Sequence, residues 1–226
     1  MTDFCQSIRL IDVAGAIVTI DAMGTQTEIV RLIRTKKADY VLALKSNHPT
    51  LHSQVKNWFN SAIANNFEGI TVSFDRRVEK GHHRTEKRLV RAVPLSEFGG
   101  LHKQEQWLGL QTIVMVERTR HLWNKVTHEV QFYLSSLPAN AQNLGLAIRT
   151  HWGIENQVHW TLDVTFSEDH CRIRSGNSPR NLALLRRMAL NALNRETTLK
   201  RSLRQKMKRA AMSNDYMMTV LQSFCQ

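Results

Sequence analysis

The chain has 226 residues, enough for one large domain or two small ones, and its 42% hydrophobic content predicts a folded core and excludes global disorder. No stretch is long enough to span a membrane, MTDFCQS lacks the basic-then-apolar pattern of a secretory leader, and three scattered cysteines (Cys5, Cys171, Cys225) form neither a disulfide framework nor a CxxC pair, so a reducing cytoplasm is expected. The net charge of +12 and pI near 10.1 point to a polyanionic partner, nucleic acid first.

In chain order, Ile17 to Asp21 reads as a strand buried on both faces, because its residues are a continuous β-branched apolar run. Asp21 ends it, before the turn-like Ala22-Met23-Gly24. A carboxylate there is costly unless a partner or a metal compensates, and the carboxyl ends of strands in open α/β sheets are where sites form. The alternative role is a helix cap. However, Thr25 with Glu28 three residues later reads as a capping box for the next helix, and Asp21 lies about one turn too early to serve it.

Thr27 to Lys37 is predicted helical, with Ile29, Val30 and Ile33 at core spacing. Asp39 to Leu44 (DYVLAL) is a second buried strand. His48 to Asn66 is a helix with Leu51, Val55, Trp58, Phe59 and Ile63 along one stripe. Two βα units sharing a parallel sheet follow. The middle alternates instead: Ile70 to Phe74, Arg84 to Val93, Gln111 to Arg118 and Thr127 to Leu134 read as antiparallel strands. Helices then return over Asn140 to His159 and Asn177 to Asn194, the latter with Leu182, Leu185, Met188, Ala189 and Leu193 toward a core. A short basic helix and a last one near Tyr216 to Phe224 close the chain. The expected organisation is a partial α/β core over residues 1–68, an inserted β subdomain over 69–138 packed beside it, and a helical region over 139–226. From Ala139 onward there are 13 Lys and Arg against 6 Asp and Glu, so the basic surface is concentrated there.

The second informative segment is HWGIENQVHW, His151 to Trp160. Helical spacing puts His151, Glu155 and His159 on one face, with Trp152 and Trp160 on a neighbouring stripe. A helix packed on the sheet by its tryptophans would aim Glu155 toward Asp21. Two carboxylates from distant segments suit hard divalent cations and a two-metal phosphoryl transfer. The alternatives at this point are an ordinary surface glutamate and a zinc site of His151, Glu155 and His159 that lacks the HExxH pattern.

The strings AIVTIDAMGTQ, ADYVLALKSN, GHHRTEKR, SSLP, HWGIENQVHWTLDVTFSEDHCRIR and NSPRNLALLRRMALN, in this order and spacing, resemble the H-repeat-associated insertion-sequence transposases of bacteria, which are DDE-type enzymes. The resemblance runs from about Ile8 to near the C-terminus. It implies an α/β fold with a ribonuclease H-like core lacking its first strands, an inserted antiparallel β subdomain and a helical C-terminal region. It implies metal-dependent DNA cleavage and strand transfer, with Mg²⁺ or Mn²⁺ as cofactor. The second catalytic aspartate falls on Asp21 and the catalytic glutamate on Glu155, both as metal ligands. The first catalytic aspartate belongs to a strand preceding every motif quoted. Asp12 matches a non-catalytic position, and Asp3 lies in an unmatched stretch. The expectation is therefore an N-terminally truncated, catalytically incomplete transposase, with a non-catalytic DNA-binding remnant competing at transposon ends as the alternative. The sheet edge left unpaired would favour a homodimer, and a complementing N-terminal fragment would restore the sheet.

The sequence departs from the family's pattern in places. His151 and Leu162 stand where related enzymes often carry Arg and Lys, and His82-His83-Arg84 replaces an HGR-type motif. Arg84, Glu86 and Arg88 alternate on a strand and either contact the DNA backbone or pair with one another. Asp163, Glu168, Asp169, Arg172 and Arg174 support metal binding, grip phosphate or form a salt-bridge network. Arg172, Arg174, Arg180, Arg186 and Arg187, with the basic residues from Arg195 to Arg209, are expected to make sequence-neutral phosphate contacts.

Overall fold

The computed structural model describes residues 8–81, 84–154 and 158–224. The chain divides into two compact units, Met1–His151 and Trp152–Gln226.

In the first unit one mixed sheet carries six strands: β1 (Ile17–Ile20), β2 (Asp39–Leu44), β3 (Ser73–Gly81), β4 (Arg84–Pro94), β5 (Thr112–Leu122) and β6 (Val126–Ser135). Their spatial order is β1-β2-β6-β5-β4-β3. β1 and β2 are parallel, joined by helix α1 (Thr27–Thr35), as two βα units require. The middle strands were expected to pack beside this core. They extend its sheet instead, because β6 pairs antiparallel with β2 from Val41↔Ser135 to Leu44↔Phe132. The expected strand at Ile70 to Phe74 begins later, at Ser73.

This register puts Leu42, Leu44, Ile113, Met115, Phe132 and Leu134 on one face, where they form the core with α1 and helix α2 (Pro49–Ala64). From α1, Ile29, Val30 and Ile33 enter it, as their spacing predicts. The α2 stripe is Leu51, Val55, Phe59 and Ala62; Ile63 stays at the surface and Trp58 is half-buried, stacking on Phe98 at 4.1 Å. Phe59 stacks on Phe132 at 5.7 Å and locks helix to sheet. Each such side chain stabilises by about 1.5–3 kcal/mol through burial.

The opposite face is covered by α3 (Ala141–Ile154), which buries Ala141, Leu144, Gly145 and Ile148. It comes close to the strands at Gly145, where an added Cβ would lie 3.1 Å from Val90 Cγ2. Its N-terminus is pinned by the Ala141 amide donating to Ser73 Oγ at 3.0 Å. Sequence spacing predicts one helix from Asn140 to His159; the helix is described from Ala141 to Ile154, and positions 155–157 lie outside the described residues.

The second unit holds α4 (Trp160–Val164), α5 (Ser178–Arg195), α6 (Leu203–Met212) and α7 (Asn214–Phe224). Its core is Ala192, Leu193, Tyr216 and Val220, with Phe166, Leu199, Leu203 and Met207 against it. Of the residues expected to face a core on α5, only Leu193 is buried; Leu185 and Met188 are exposed, because only the C-terminal part of this helix is clasped by α6 and α7. Trp160, expected to pack, is 58% exposed.

A buried carboxylate fastens this unit. Glu196, 1% exposed, accepts from Thr198, from the Leu199 amide at 3.0 Å and from the Tyr216 hydroxyl at 2.6 Å, and pairs with Lys206 at 3.3 Å. Burial opposes its ionisation, but the converging donors outweigh it and hold the carboxyl at about 2.

Candidate active site at the strand ends

Asp21 follows β1 directly and has extended backbone geometry. It precedes a single 3-10 turn, Ala22–Gly24, yet its side chain makes no capping hydrogen bond. The capping-box expectation also fails for α1, whose N-cap is Gln26. Thr25 is fully buried, and its hydroxyl donates to Ala43 O on β2 at 2.7 Å, a tertiary bond that removes it from capping.

The Asp21 carboxylate accepts from Lys45 Nζ at 2.8 Å. Lys45 follows β2 as Asp21 follows β1, so the parallel register brings acid and base to one end of the sheet. This hydrogen bond holds the Asp21 carboxyl below the usual carboxylate range, against partial burial, which pushes it up. The two loops are sewn together nearby: Asn47 Nδ2 donates to Ala22 O at 2.7 Å, and the His48 ring bonds Thr25 O at 2.6 Å. A carbonyl can only accept, so His48 Nε2 carries the proton. A pocket of 380 Å³ opens beside these loops, lined by Gln26, Asn47, His48, His102, Lys103 and Trp107 among others.

Helix α3 brings a further group to this end. His151 Nδ1 lies 3.1 Å from Thr19 Oγ1, two residues before Asp21, and its charge adds to the lowering of the Asp21 carboxyl. Glu155 lies outside the described residues, as do His82 and His83.

As a metal ligand, Asp21 fits: it is ionised, its side chain is 58% exposed, and oxygen is the donor hard divalent cations prefer. Among the described residues, no three of His, Cys, Asp and Glu gather as a metal cluster. Asp12 serves its own loop, accepting from the Ala14 amide at 3.1 Å.

The predicted basic residues divide. Glu86 and Arg88 pair with one another, and Glu86 also takes Arg120 at 3.0 Å. For these two the pairing alternative holds, while Arg84 is exposed at the start of its strand. Arg172 and Arg174 are exposed, and Arg174 donates to the Cys171 carbonyl at 2.7 Å. Asp163, Glu168 and Asp169 form no salt bridge with them among the described residues. Arg180 and Arg187 are exposed on α5. Arg186 is half-buried beside Cys171, whose thiol is lowered by the Ile173 backbone and then by this guanidinium. Sequence reasoning missed Lys45, Asn47 and His48. The available signal was that a polar cluster follows β2 at the level where Asp21 follows β1.

A parallel two-strand end with an ionised carboxylate, inside a strongly basic chain, defines an α/β protein with a candidate site at its strand ends. The transposase DDE domain family matches residues 1–192. YbfL of Escherichia coli K12 is 34% identical over 98% of the chain, as is the "H repeat-associated putative transposase YhhI" of the same strain. The "Putative transposase YncI" of Escherichia coli O157:H7 is 33% identical over 99% of the chain. The chain belongs to the DDE transposase family. It spans 57–58% of the length of these relatives. No solved structure matches it significantly. Among the described residues, no helix is long and apolar enough to cross a membrane.

Proposed function

We propose that this chain carries two metal-binding carboxylates of an insertion-sequence transposase, Asp21 and Glu155, on a partial ribonuclease H-like core with β3–β6 as its insertion. The observation that carries this reading is Asp21: an ionised carboxylate at a parallel strand end, unused as a cap and held by Lys45. The Thr19–His151 contact supports a role for Glu155, four residues further along the same segment.

Asp21 and Glu155 would hold Mg²⁺ or Mn²⁺. When bound, such ions stabilise the attacking and leaving oxygens of an in-line displacement at a phosphodiester. Lys45 keeps Asp21 ionised and oriented. Arg84, Arg172, Arg174, Arg180, Arg186 and Arg187 would bear on the DNA backbone at transposon ends, in the cytoplasm.

We infer further that these 226 residues alone bind DNA without cutting it, because two carboxylates form an incomplete set. A fragment supplying the family's other aspartate would complete it; a homodimer is the alternative partner. The test is incubation with supercoiled plasmid, with and without Mg²⁺ or Mn²⁺. Salt-sensitive binding without nicking is expected. A metal-dependent nick abolished by Asp21→Ala and by Glu155→Ala would overturn incompleteness while upholding the two carboxylates. The reading as a competing DNA-binding remnant rests on the net charge of +12. It is favoured if binding survives both substitutions and no fragment restores cleavage.

A further inference from the structure

The four antiparallel strands present two faces of different electrostatic character. On the face carrying α3, five cations are matched, and Arg84 at the strand tip stays exposed. Arg77 pairs with Asp75 at 2.8 Å, Arg88 and Arg120 share Glu86, Arg118 takes Glu129, and Arg149 of α3 takes Glu79 at 2.9 Å. On the other face, the hydrophobic core ends near Met115 and Phe132, and the strands continue beyond it.

There the register sets Arg76 opposite Leu89, Val78 opposite Lys87 and Lys80 opposite Thr85, so all three cations share one face. Arg76, Lys80 and Lys87 are exposed, and none has an ion pair among the described residues. The one carboxylate in this stretch, Glu117, is neutralised by Arg91 at 2.9 Å. Val78 lies between Arg76 and Lys80 and is 48% exposed, and the same face continues across to β6, where Val126 and Val130 are 62% and 41% exposed.

We propose that this open sheet face is a second DNA-docking surface, gripping the phosphate backbone of a duplex away from the strand-end site. The inference rests on the transposase reading above. Arg76 and Lys80 lie about 13 Å apart along β3, and Lys87 sits one strand over, about 4.8 Å to the side. Such a line of unpaired cations follows a backbone rather than a single anion. Arg and Lys contacts of this kind to phosphate position a protein on DNA without reading its sequence. The contrast between the faces carries the point. The α3 face spends five of its cations internally, whereas this face leaves three positive groups in water with no ion pair among the described residues.

The test uses the full chain and a labelled linear duplex of arbitrary sequence, titrated with salt. The variant Arg76→Gln/Lys80→Gln/Lys87→Gln is expected to bind at least tenfold more weakly at fixed salt. Its slope of log K against log salt should be shallower by about 2–3, since each phosphate contact contributes about 0.9. A second measurement needs no variant: duplex should protect Lys80 and Lys87 from acylation, but not exposed Lys56 on α2. If the wild type binds duplex while the variant keeps its slope and both lysines stay reactive, this surface is wrong and the transposase reading stands. If the wild type binds no duplex at any salt, the transposase reading fails and takes this one with it. If the variant alters self-association or polyglutamate binding with the DNA slope unchanged, the face serves a protein partner and the proposal is overturned.

Discussion

At the scale of single residues, the Asp21–Lys45 pair fixes the charge at the end of β1 and β2. Both side chains are about half exposed, at 58% and 46%, so their attraction is screened and contributes little to folding. Its effect is on protonation. Lys45→Met should let the Asp21 carboxyl rise toward its ordinary range while changing stability by less than about 1 kcal/mol. A pH titration followed by carboxyl-carbon NMR reads this directly; an unchanged Asp21 midpoint would show that Lys45 does not control it. Asp21 itself was legible in the sequence, because a carboxylate ending an apolar β-branched run is conspicuous. Lys45 was not, since nothing local says that two residues 24 positions apart share a strand end.

At the scale of elements, β2 and the core positions of α1 were readable from apolar pattern alone. The failures share one cause. Thr25 looked like a cap in isolation, but its hydroxyl found Ala43 on another strand. Leu185 and Met188 looked like core, but an amphipathic stripe does not reveal how much of its length a neighbour covers. The α3–β4 contact is a tight element-scale feature. Gly145→Val should destabilise the first unit by about 1–3 kcal/mol, because the new side chain meets Val90. Denaturant unfolding measures the loss, and a variant as stable as the wild type would show that α3 can lift off the sheet freely.

At the scale of the whole molecule, the two units have different fastenings: an aromatic and aliphatic core in the first, a small core with a buried carboxylate in the second. Glu196 is held at about 2 when folded, below the usual glutamate value of about 4.3 when unfolded. A depressed carboxyl contributes stability that is complete above the unfolded value and is lost as pH falls from about 4 toward 2. Glu196→Gln should cost up to about 3 kcal/mol near neutrality, because buried Lys206 loses its counter-charge and keeps only the Leu193 and Glu196 carbonyls as acceptors. It should also flatten the acid dependence of the helical circular dichroism over that window. Equal acid sensitivity in variant and wild type would locate the effect elsewhere.

The sequence by itself determined the basic character, the buried strand β2, the alternation of the middle segments and the family, because these depend on residue type, local period and motif order. In contrast, β1, expected to be buried on both faces, is the sheet's edge strand with only Ile20 buried. Only the tertiary structure decided that the β block continues the first sheet through β2 and β6, and that Lys45 meets Asp21. It also decided that Arg88 is spent on Glu86 while Lys87 faces water. Those outcomes depend on pairing between segments far apart in the chain, and a strand's local pattern gives its two faces without saying which partner will cover either one.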